Sequence, residues 1–159
     1  ERIDLYQLHA PDPRVPLEDS LGTLADLRAE GKIRHIGLSN VNVGELRRAR
    51  RVVPIVSVQN RFNHSVRGSE GVLAECERQG IAFLPWNPLG TGGHAGGTGT
   101  LARIAARTNA TPIQIVIAWL LARSQVMLPI PGTSSLAHLE ENVAATRLGL
   151  SPDDLTELS

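Results

Sequence analysis

Polar and aromatic side chains stand at five places where an apolar run of this chain gives way to a turn. They are His9, Ser39-Asn40, Gln59-Asn60, Trp86-Asn87 and Gly132-Thr133. If each apolar run is a parallel strand, these groups follow the carboxyl ends of successive strands, where α/β proteins bind ligands. Hydroxyl, carboxamide and indole groups suit a flat ring that carries an amide, such as nicotinamide.

The last of these places has the character of a phosphate site. Residues 126–130 form a short apolar run, which predicts a buried strand, and Pro131-Gly132 predicts a turn after it. A hydroxyl residue then caps a helix whose apolar face is predicted to hold Leu136, Leu139 and Val143. Because the first N–H groups of a helix attract anions, the pattern predicts phosphate binding at Gly132-Thr133.

Hydrophobic periodicity predicts the elements that would position these groups. Strands are expected at residues 3–9, 33–38, 55–58, 81–84 and 126–130. Helices are expected to begin near residues 17, 42, 69, 101, 112, 136 and 151. Asn42 and Glu45 resemble a capping box, Thr111-Pro112 predicts a cap and first turn, and Gly80 follows the helix that ends at residue 79. The Gly-rich run 91–100 between the fourth strand and the next helix predicts a mobile loop.

Strict alternation of strands and helices predicts a parallel sheet with right-handed crossovers. One possibility is a (β/α)8 barrel, which needs eight strands and about 250 residues, so that only five βα units would be present. The other is an open doubly wound sheet, which needs no further part. Such a sheet usually has a Gly-rich turn after its first strand, whereas this chain has LHAPDP there.

Composition indicates a single globular domain, residues 1–159. The 16 basic residues balance 16 acidic ones, which argues against nucleic acid or an anionic membrane as a partner. The single cysteine, Cys76, lies on an apolar helix face and fits a reducing cytoplasm. No apolar run reaches the roughly 18 residues of a membrane span. The start at Glu1 and the stop at Ser159 suggest that both ends are cut from a longer chain.

Six segments of the chain resemble the aldo-keto reductases, from the fourth strand of their barrel to near its end. They are IDLYQLHAPDP, GKIRHIGLSN, VSVQNRFN, GIAFLPWNPLG, TPIQIVIAWLL and IPGTSSLAHLEEN, in the order and at the spacing of that family. The resemblance implies a TIM barrel of which about five βα units are present. It also implies NADP(H)-dependent reduction of small aldehydes or ketones to alcohols by hydride transfer.

The resemblance also implies roles for single residues. His9 matches the catalytic histidine that orients and polarises the substrate carbonyl. Ser39, Asn40 and Gln59 match contacts to the nicotinamide carboxamide, and Trp86 matches a ring stacked on the nicotinamide. Asn87, Leu89 and Thr91 match the loop around the pyrophosphate. Gly132, Thr133 and His138 match positions near the 2′-phosphate, and Glu141 and Asn142 match residues at the adenine. Many family members have Lys and Arg where this chain has Gly132 and His138, so NAD(H) is also possible.

The rest of the family's catalytic tetrad, an Asp, a Tyr and a Lys, comes from the first three βα units, which have no match here. Tyr6, the only tyrosine, falls mid-strand, where we expect its side chain to pack, and Lys32, the only lysine, falls in a helix-to-strand turn. Without a proton donor, carbonyl reduction loses about 10²–10⁴-fold. The alternatives are therefore a non-catalytic nucleotide-binding or scaffold module, and a phosphate-sugar binder on an open sheet.

Two further expectations concern partners and metals. A partial barrel leaves the first and last strands with unpaired backbone groups, which predicts self-association unless another segment completes the sheet. His35, His64 and His94 share no metal-ligand spacing, so no metal site is predicted.

Overall fold

The sheet of this protein contains four parallel strands in chain order. The computed structural model describes residues 1–90 and 99–159, and within these ranges the strands are β1 Ile3–Leu8, β2 Ile33–Ser39, β3 Ile55–Arg61 and β4 Ala82–Trp86. Their order is β1-β2-β3-β4, with parallel pairing of β1 to β2 and of β2 to β3. Consecutive parallel neighbours confirm the predicted βα units.

The helices begin and end close to the expected residues. They are α1 Leu17–Ala29, α2 Val43–Val52, α3 Glu70–Gln79, α4 Thr100–Thr108, α5 Pro112–Arg123, α6 Leu136–Ala144 and α7 Pro152–Glu157, with a 3₁₀ turn at Ala145–Arg147. The predicted capping box at the start of α2 is present, since the Asn42 side chain and Glu45 bond each other's main-chain N–H groups. Gly80 ends α3 in the left-handed conformation that glycine adopts readily.

The predicted fifth strand, residues 126–130, is wrong. Met127 alone occupies a single bridge position there, and the rest of the segment is irregular. Leu128 and Ile130 are 54% and 41% exposed, so the run is not the buried strand that its apolar character suggested. Pro129 and Pro131 lack the N–H groups that a regular ladder requires, which gives the physical reason.

The described residues form two compact units. The first contains residues 1–60 and 68–84, and its fully buried side chains include Leu21, Ile36, Leu38, Leu46, Leu73 and Phe83. The second contains residues 61–67 and 85–159, and its core includes Phe62, Ile104, Ile115, Trp119, Leu120 and Leu158. In the second unit the Phe62 and Trp119 rings are stacked with centroids 6.0 Å apart. The single-domain assignment stays a prediction.

Strand β1 has no partner on its outer side in the described sheet, and its side chains reflect this position. Tyr6 does lie mid-strand, opposite Ile36 of β2, but it is 41% exposed rather than packed as expected. Ile3 and Leu5 are exposed as well. A strand at the edge of a sheet has only one neighbour, which leaves its side chains partly uncovered.

Cys76 is fully buried in α3, as its place on an apolar face predicted, and burial raises the pKa of its thiol to about 12.

No helix in residues 1–90 and 99–159 is by itself long and apolar enough to cross a membrane. Only α4 and α5 together pass such a test, and the chain bends by 95° between them.

Candidate active site

In the first unit, five residues of three neighbouring strands, together with the residue after β1, form two rows on one face of the sheet. The register places Gln7 beside Gly37 and Gly37 beside Ser57, and two residues further along it places Ser39 beside Gln59. Side chains two residues apart on a strand point to the same face, so His9, which follows β1, continues the second row. Gln7, His9, Ser39 and Gln59 line a cavity of about 120 Å³.

Hydrogen bonds join the end of β2 to β3 beside this cavity. The buried Ser39 hydroxyl donates to the main-chain oxygen of Gln59 at 2.6 Å. The main-chain N–H of Asn40 donates to the same oxygen at 3.1 Å. Because one carbonyl accepts both bonds, the chain leaves β2 in a defined direction.

The Asn40 side chain connects this turn to the residue after β1. Asn40 has a φ of 57°, in the left-handed region that asparagine tolerates better than most residues. Its Nδ2 donates to the main-chain oxygen of His9 at 2.9 Å and to the Ser39 hydroxyl at 3.1 Å. The backbone of His9 is thereby held at the cavity, while its side chain stays exposed.

Gln59 presents a hydrogen-bond donor at the cavity. Its Oε1 accepts a bond from Gln7 Nε2 at 3.1 Å, and in the described part of the chain its Nε2 has no protein partner. This amide can therefore donate to a carbonyl oxygen of a bound molecule. The sequence pattern predicted that Gln59 follows the strand. In the structure β3 continues to Arg61, so Gln59 lies within it.

Trp86 and Asn87 belong to the second unit. Trp86 is the last residue of β4, and the Arg61 guanidinium lies 5.5 Å from the centre of its indole ring, a cation–π distance. Asn87 has a φ of 53°, and its carbonyl accepts bonds from Asn63 Nδ2 at 2.9 Å and from the Gly90 N–H at 3.0 Å. Leu89 lies in the turn that these bonds close; Thr91 lies outside the described residues.

The predicted phosphate site falls at the start of α6. The helix cap is Ser135, whose hydroxyl accepts the His138 N–H at 3.4 Å. Thr133 Oγ1 accepts the Ser135 N–H at 3.1 Å, and Gly132, Thr133 and His138 are exposed. With these two N–H groups engaged, those of Leu136 and Ala137 are left among the described atoms for an anion.

Glu141 and Asn142 take part in contacts within the second unit. The Glu141 carboxylate accepts a bond from the Thr111 hydroxyl, and its main-chain oxygen accepts one from Gln114 Nε2 at 3.1 Å. Both partners form the N-terminal cap of α5, so Glu141 braces α6 against that cap. Asn142 is buried and lines a groove of about 330 Å³, whose wall includes Ile130 and Leu139.

Within one unit, then, the structure brings together His9, Ser39, Asn40 and Gln59. The sequence interpretation missed Gln7, Gly37 and Ser57, which form the adjacent row. A signal was available, because each precedes a predicted site residue by two positions and must share its face on a strand. Among the described residues, no three or more His, Cys, Asp or Glu side chains cluster in a way that could hold a metal ion.

Comparison with curated proteins gives relatives at high identity. An uncharacterized oxidoreductase of Schizosaccharomyces pombe is 46% identical over 158 residues, which is 99% of this chain and 52% of that protein. Pyridoxine 4-dehydrogenase of Escherichia coli is 44% identical over 157 residues, 99% of this chain and 54% of that protein. The chain therefore spans about half the length of these relatives.

Solved structures of aldo-keto reductases have the same fold as this chain over nearly its whole length. A thermostable aldo-keto reductase in complex with the inhibitor epalrestat has a TM-score of 0.91 at 36% identity, covering 99% of this chain and 59% of that one. An aldo-keto reductase of Klebsiella pneumoniae in complex with NADPH has a TM-score of 0.88 at 27% identity, covering 99% and 57%. The predicted fold class, α/β of the (β/α)8 type, is confirmed. Since the family model for the aldo/keto reductases matches residues 1–159, the chain belongs to the aldo/keto reductase family.

Proposed function

We propose that this chain is the cofactor-binding part of an NADP(H)-dependent oxidoreductase that reduces small aldehydes or ketones to alcohols. The observation that carries the proposal is the cavity of about 120 Å³ lined by Gln7, His9, Ser39 and Gln59. The NADPH complex of the Klebsiella pneumoniae relative and the oxidoreductase names of the curated relatives support it.

When bound, the reduced nicotinamide would supply a hydride to the carbonyl carbon, and a protein acid would supply the proton to the carbonyl oxygen. His9 donates a hydrogen bond to the substrate carbonyl and orients it. Its position is defined through its backbone, since Asn40 Nδ2 donates to the His9 carbonyl at 2.9 Å.

The cofactor contacts are assigned for each unit by itself. In the first unit, Ser39, Asn40 and Gln59 hold the nicotinamide carboxamide; the outward Nε2 of Gln59 fits its carbonyl oxygen. In the second unit, Trp86 offers a stacking ring and Asn87, Leu89 and Thr91 the pyrophosphate loop. Gly132, Thr133 and His138 take the 2′-phosphate at the start of α6, with Glu141 and Asn142 at the adenine.

The proton donor comes from outside these 159 residues. Tyr6 lies mid-strand in β1, on the strand position that alternates with Gln7, and so faces away from the cavity row. Lys32 precedes β2, at the opposite end from Ser39, and its Nζ lies 2.6 Å from the Glu30 carboxylate. In this proposal the Asp, Tyr and Lys of the tetrad are encoded upstream in a longer polypeptide or supplied by a companion chain, and the complete protein is the active reductase.

A titration of the chain with NADPH tests the binding part of this proposal. Intrinsic fluorescence of Trp86 and Trp119, together with calorimetry, would report the dissociation constant. Gln59→Leu should weaken binding about 3- to 10-fold through loss of one hydrogen bond. Gln125→Leu, at an exposed position, is the matched control. Absence of NADPH binding in wild type at millimolar concentration would contradict the proposal.

The lack of a suitably placed tyrosine favours one competing function, a nucleotide-binding module without catalysis. Turnover separates the two. The natural full-length polypeptide should oxidise NADPH in the presence of an aldehyde, with one NADPH consumed per alcohol formed. Binding of NADPH without turnover across a panel of aldehydes and ketones would support the non-catalytic module.

Self-association through the sheet edge is proposed for the isolated 159-residue chain, because in a longer polypeptide another segment would pair with β1. Ile3 and Leu5 of β1 are exposed, and β1 has only β2 as a neighbour in the described sheet. A second copy that pairs with this edge would cover both side chains and supply the missing main-chain bonds. The balanced charge and single cysteine fit a cytoplasmic protein whose partners are small molecules.

A further inference from the structure

We propose that Gln7 is a positioning residue that sets the orientation of the Gln59 side-chain amide, so that Gln59 donates into the cavity. The role of Gln59 in holding the nicotinamide carboxamide rests on the proposed function; the orientation itself does not. Gln7 Nε2 donates to Gln59 Oε1 at 3.1 Å. Since an amide has one oxygen, this bond leaves the Gln59 NH₂ group to face the ligand.

Gln7 lies beside a second buried polar side chain. Its own Oε1 is buried without a hydrogen-bond partner among the described residues, and so is the hydroxyl of Ser57. Both atoms border the space beside Gly37: a Cβ on Gly37 would lie 2.2 Å from Ser57 Oγ and 3.1 Å from Gln7 Oε1. Ser57 is almost fully buried. The absence of a side chain on Gly37 therefore leaves room for a polar pair beneath the cavity.

Both unpartnered atoms lie beside Gly37. A hydrogen bond from the Ser57 hydroxyl to Gln7 Oε1, direct or through one buried water, would satisfy both atoms and link Ser57, Gln7 and Gln59 in series. Buried polar groups are costly unless paired, so such a series resists rotation of any one amide. Gln7 thus acts on a ligand through Gln59, although its side chain also lines the cavity.

A cofactor analogue provides a readout that simple destabilisation would not change. The 3-acetylpyridine analogue of NADPH keeps the ring carbonyl but has a methyl group in place of the amide NH₂. Wild type should bind it with little loss at this contact, because the Gln59 NH₂ donates to the carbonyl. In Gln7→Glu at pH 8, the introduced carboxylate accepts from Gln59 Nε2 and turns Gln59 Oε1 toward the ligand. NADPH can then donate its NH₂, whereas the analogue cannot donate.

The expected result is that the ratio of the two dissociation constants, analogue over NADPH, rises about 3- to 10-fold in Gln7→Glu. Gln7→Leu should shift it in the same direction by a smaller factor, because Gln59 is then free to turn. Gln125→Glu, the same change at an exposed position, should leave the ratio at the wild-type value. If NADPH binds but the ratio is unchanged in both Gln7 variants, Gln7 does not orient Gln59 and the inference is overturned.

A measurement without ligand separates this inference from the proposed function. In ¹H–¹⁵N spectra, the side-chain NH₂ signals of Gln59, assigned by their loss in Gln59→Leu, should shift in Gln7→Glu and Gln7→Leu but not in Gln125→Glu. If they shift while wild type binds no NADPH, Gln7 orients Gln59 and the proposed function fails. If they do not shift, the inference fails whatever the cofactor does. Circular dichroism of each variant confirms that it is folded.

Discussion

The side-chain amide of Asn60 bonds both main-chain groups of Val41. Asn60 Oδ1 accepts from the Val41 N–H at 3.1 Å, and Asn60 Nδ2 donates to the Val41 oxygen at 2.7 Å. Both residues are buried, so neither main-chain group of Val41 can turn to water. Val41 directly follows Ser39 and Asn40, and the pair therefore holds the turn that supplies two of the candidate cofactor contacts.

Replacement of Asn60 should destabilise the protein strongly. Asn60→Ala leaves a buried N–H and a buried C=O unpaired, at about 1–3 kcal/mol each. We expect the free energy of unfolding, from urea denaturation, to fall by about 2–4 kcal/mol. Asn60→Asp keeps the acceptor but places a buried carboxylate oxygen against the Val41 oxygen, so its loss should be at least that of alanine. A decrease below about 0.5 kcal/mol for Asn60→Ala would show that the turn finds other partners.

Gly37→Ala tests the packing of the row beneath the cavity. The new Cβ would lie 2.2 Å from Ser57 Oγ, which is closer than a Cβ atom approaches a non-bonded atom in proteins, so strand β2 or Ser57 must move. Overpacking of this kind costs about 1–3 kcal/mol. Adding Ser57→Ala removes the obstructing hydroxyl and should restore part of the lost free energy of unfolding.

Gly22 offers the matched control for the Gly37→Ala and Ser57→Ala substitutions. It lies inside helix α1, and a Cβ built on it meets nothing within 4 Å. Gly22→Ala should therefore raise the free energy of unfolding by about 0.5–1 kcal/mol through helix propensity. Equal losses in Gly37→Ala with and without Ser57→Ala would mean that the clash is relieved elsewhere.

Stability should fall in acid partly because of Glu75. This nearly buried carboxylate accepts bonds from Arg47 at 3.1 and 2.7 Å and from Arg78, and these bonds lower its pKa to about 2. Since the folded pKa lies below the unfolded value, the contribution of Glu75 is present above about pH 4.5 and is lost as pH falls toward 2.

Urea midpoints at pH 7 and pH 3 measure this contribution. Glu75→Gln should lower stability at pH 7 and reduce the difference between the two midpoints. Arg47→Met should reduce that difference as well, because it removes the largest cause of the low pKa. If Glu75→Gln shows the same difference between the two urea midpoints as wild type, the acid sensitivity comes from other carboxylates. Glu18 and Asp154 are candidates, because their pKa values are also lowered to about 2.

The preference between NADPH and NADH should depend on position 138. His138 is exposed in the first turn of α6, where its N–H bonds Ser135 Oγ. His138→Arg adds a permanent charge for a 2′-phosphate, so the ratio of the dissociation constants, NADH over NADPH, should rise about 2- to 5-fold. Glu140→Gln, on the same exposed helix, controls for a general change of charge. Equal strengthening of NADH and NADPH binding would place the 2′-phosphate elsewhere.

The edge of β1 predicts concentration-dependent association. Ile3 is 48% exposed on this edge, and a lysine there would oppose pairing with a second copy. We expect sedimentation velocity to show oligomers of the unsubstituted 159-residue chain at micromolar concentration, and a smaller oligomer fraction for Ile3→Lys. Val56→Lys, at an exposed position of β3 between its two neighbours, is the control. A wild type that stays monomeric would contradict edge pairing.

Local signals made much of the fold predictable. The capping box at Asn42, the cap at Thr111 and the helix end at Gly80 depend on neighbouring residues, and the structure has each of them where the pattern indicated. The run 126–130 shows the limit of this approach. Apolar character alone does not distinguish a strand from an irregular apolar segment, and the two prolines decided the outcome.

The candidate site divides in the same way. His9, Ser39 and Gln59 could be found from the sequence because each stands near the carboxyl end of an apolar run, and parallel strands bring such ends to one edge. The bonds from Asn40 to His9 and from Asn60 to Val41 could not be, since they join residues 31 and 19 positions apart. Their partners are chosen by the packing of the strands.

The sequence by itself determined the family, the βα order and the residue types at the strand ends, because these follow from periodicity, caps and short motifs. Only the tertiary structure decided that Gln7 pairs with Gln59 and that Gly37 leaves space beside Ser57. The physical reason is register. One residue of slip would turn each of these side chains to the other face of its strand, and register depends on the whole sheet.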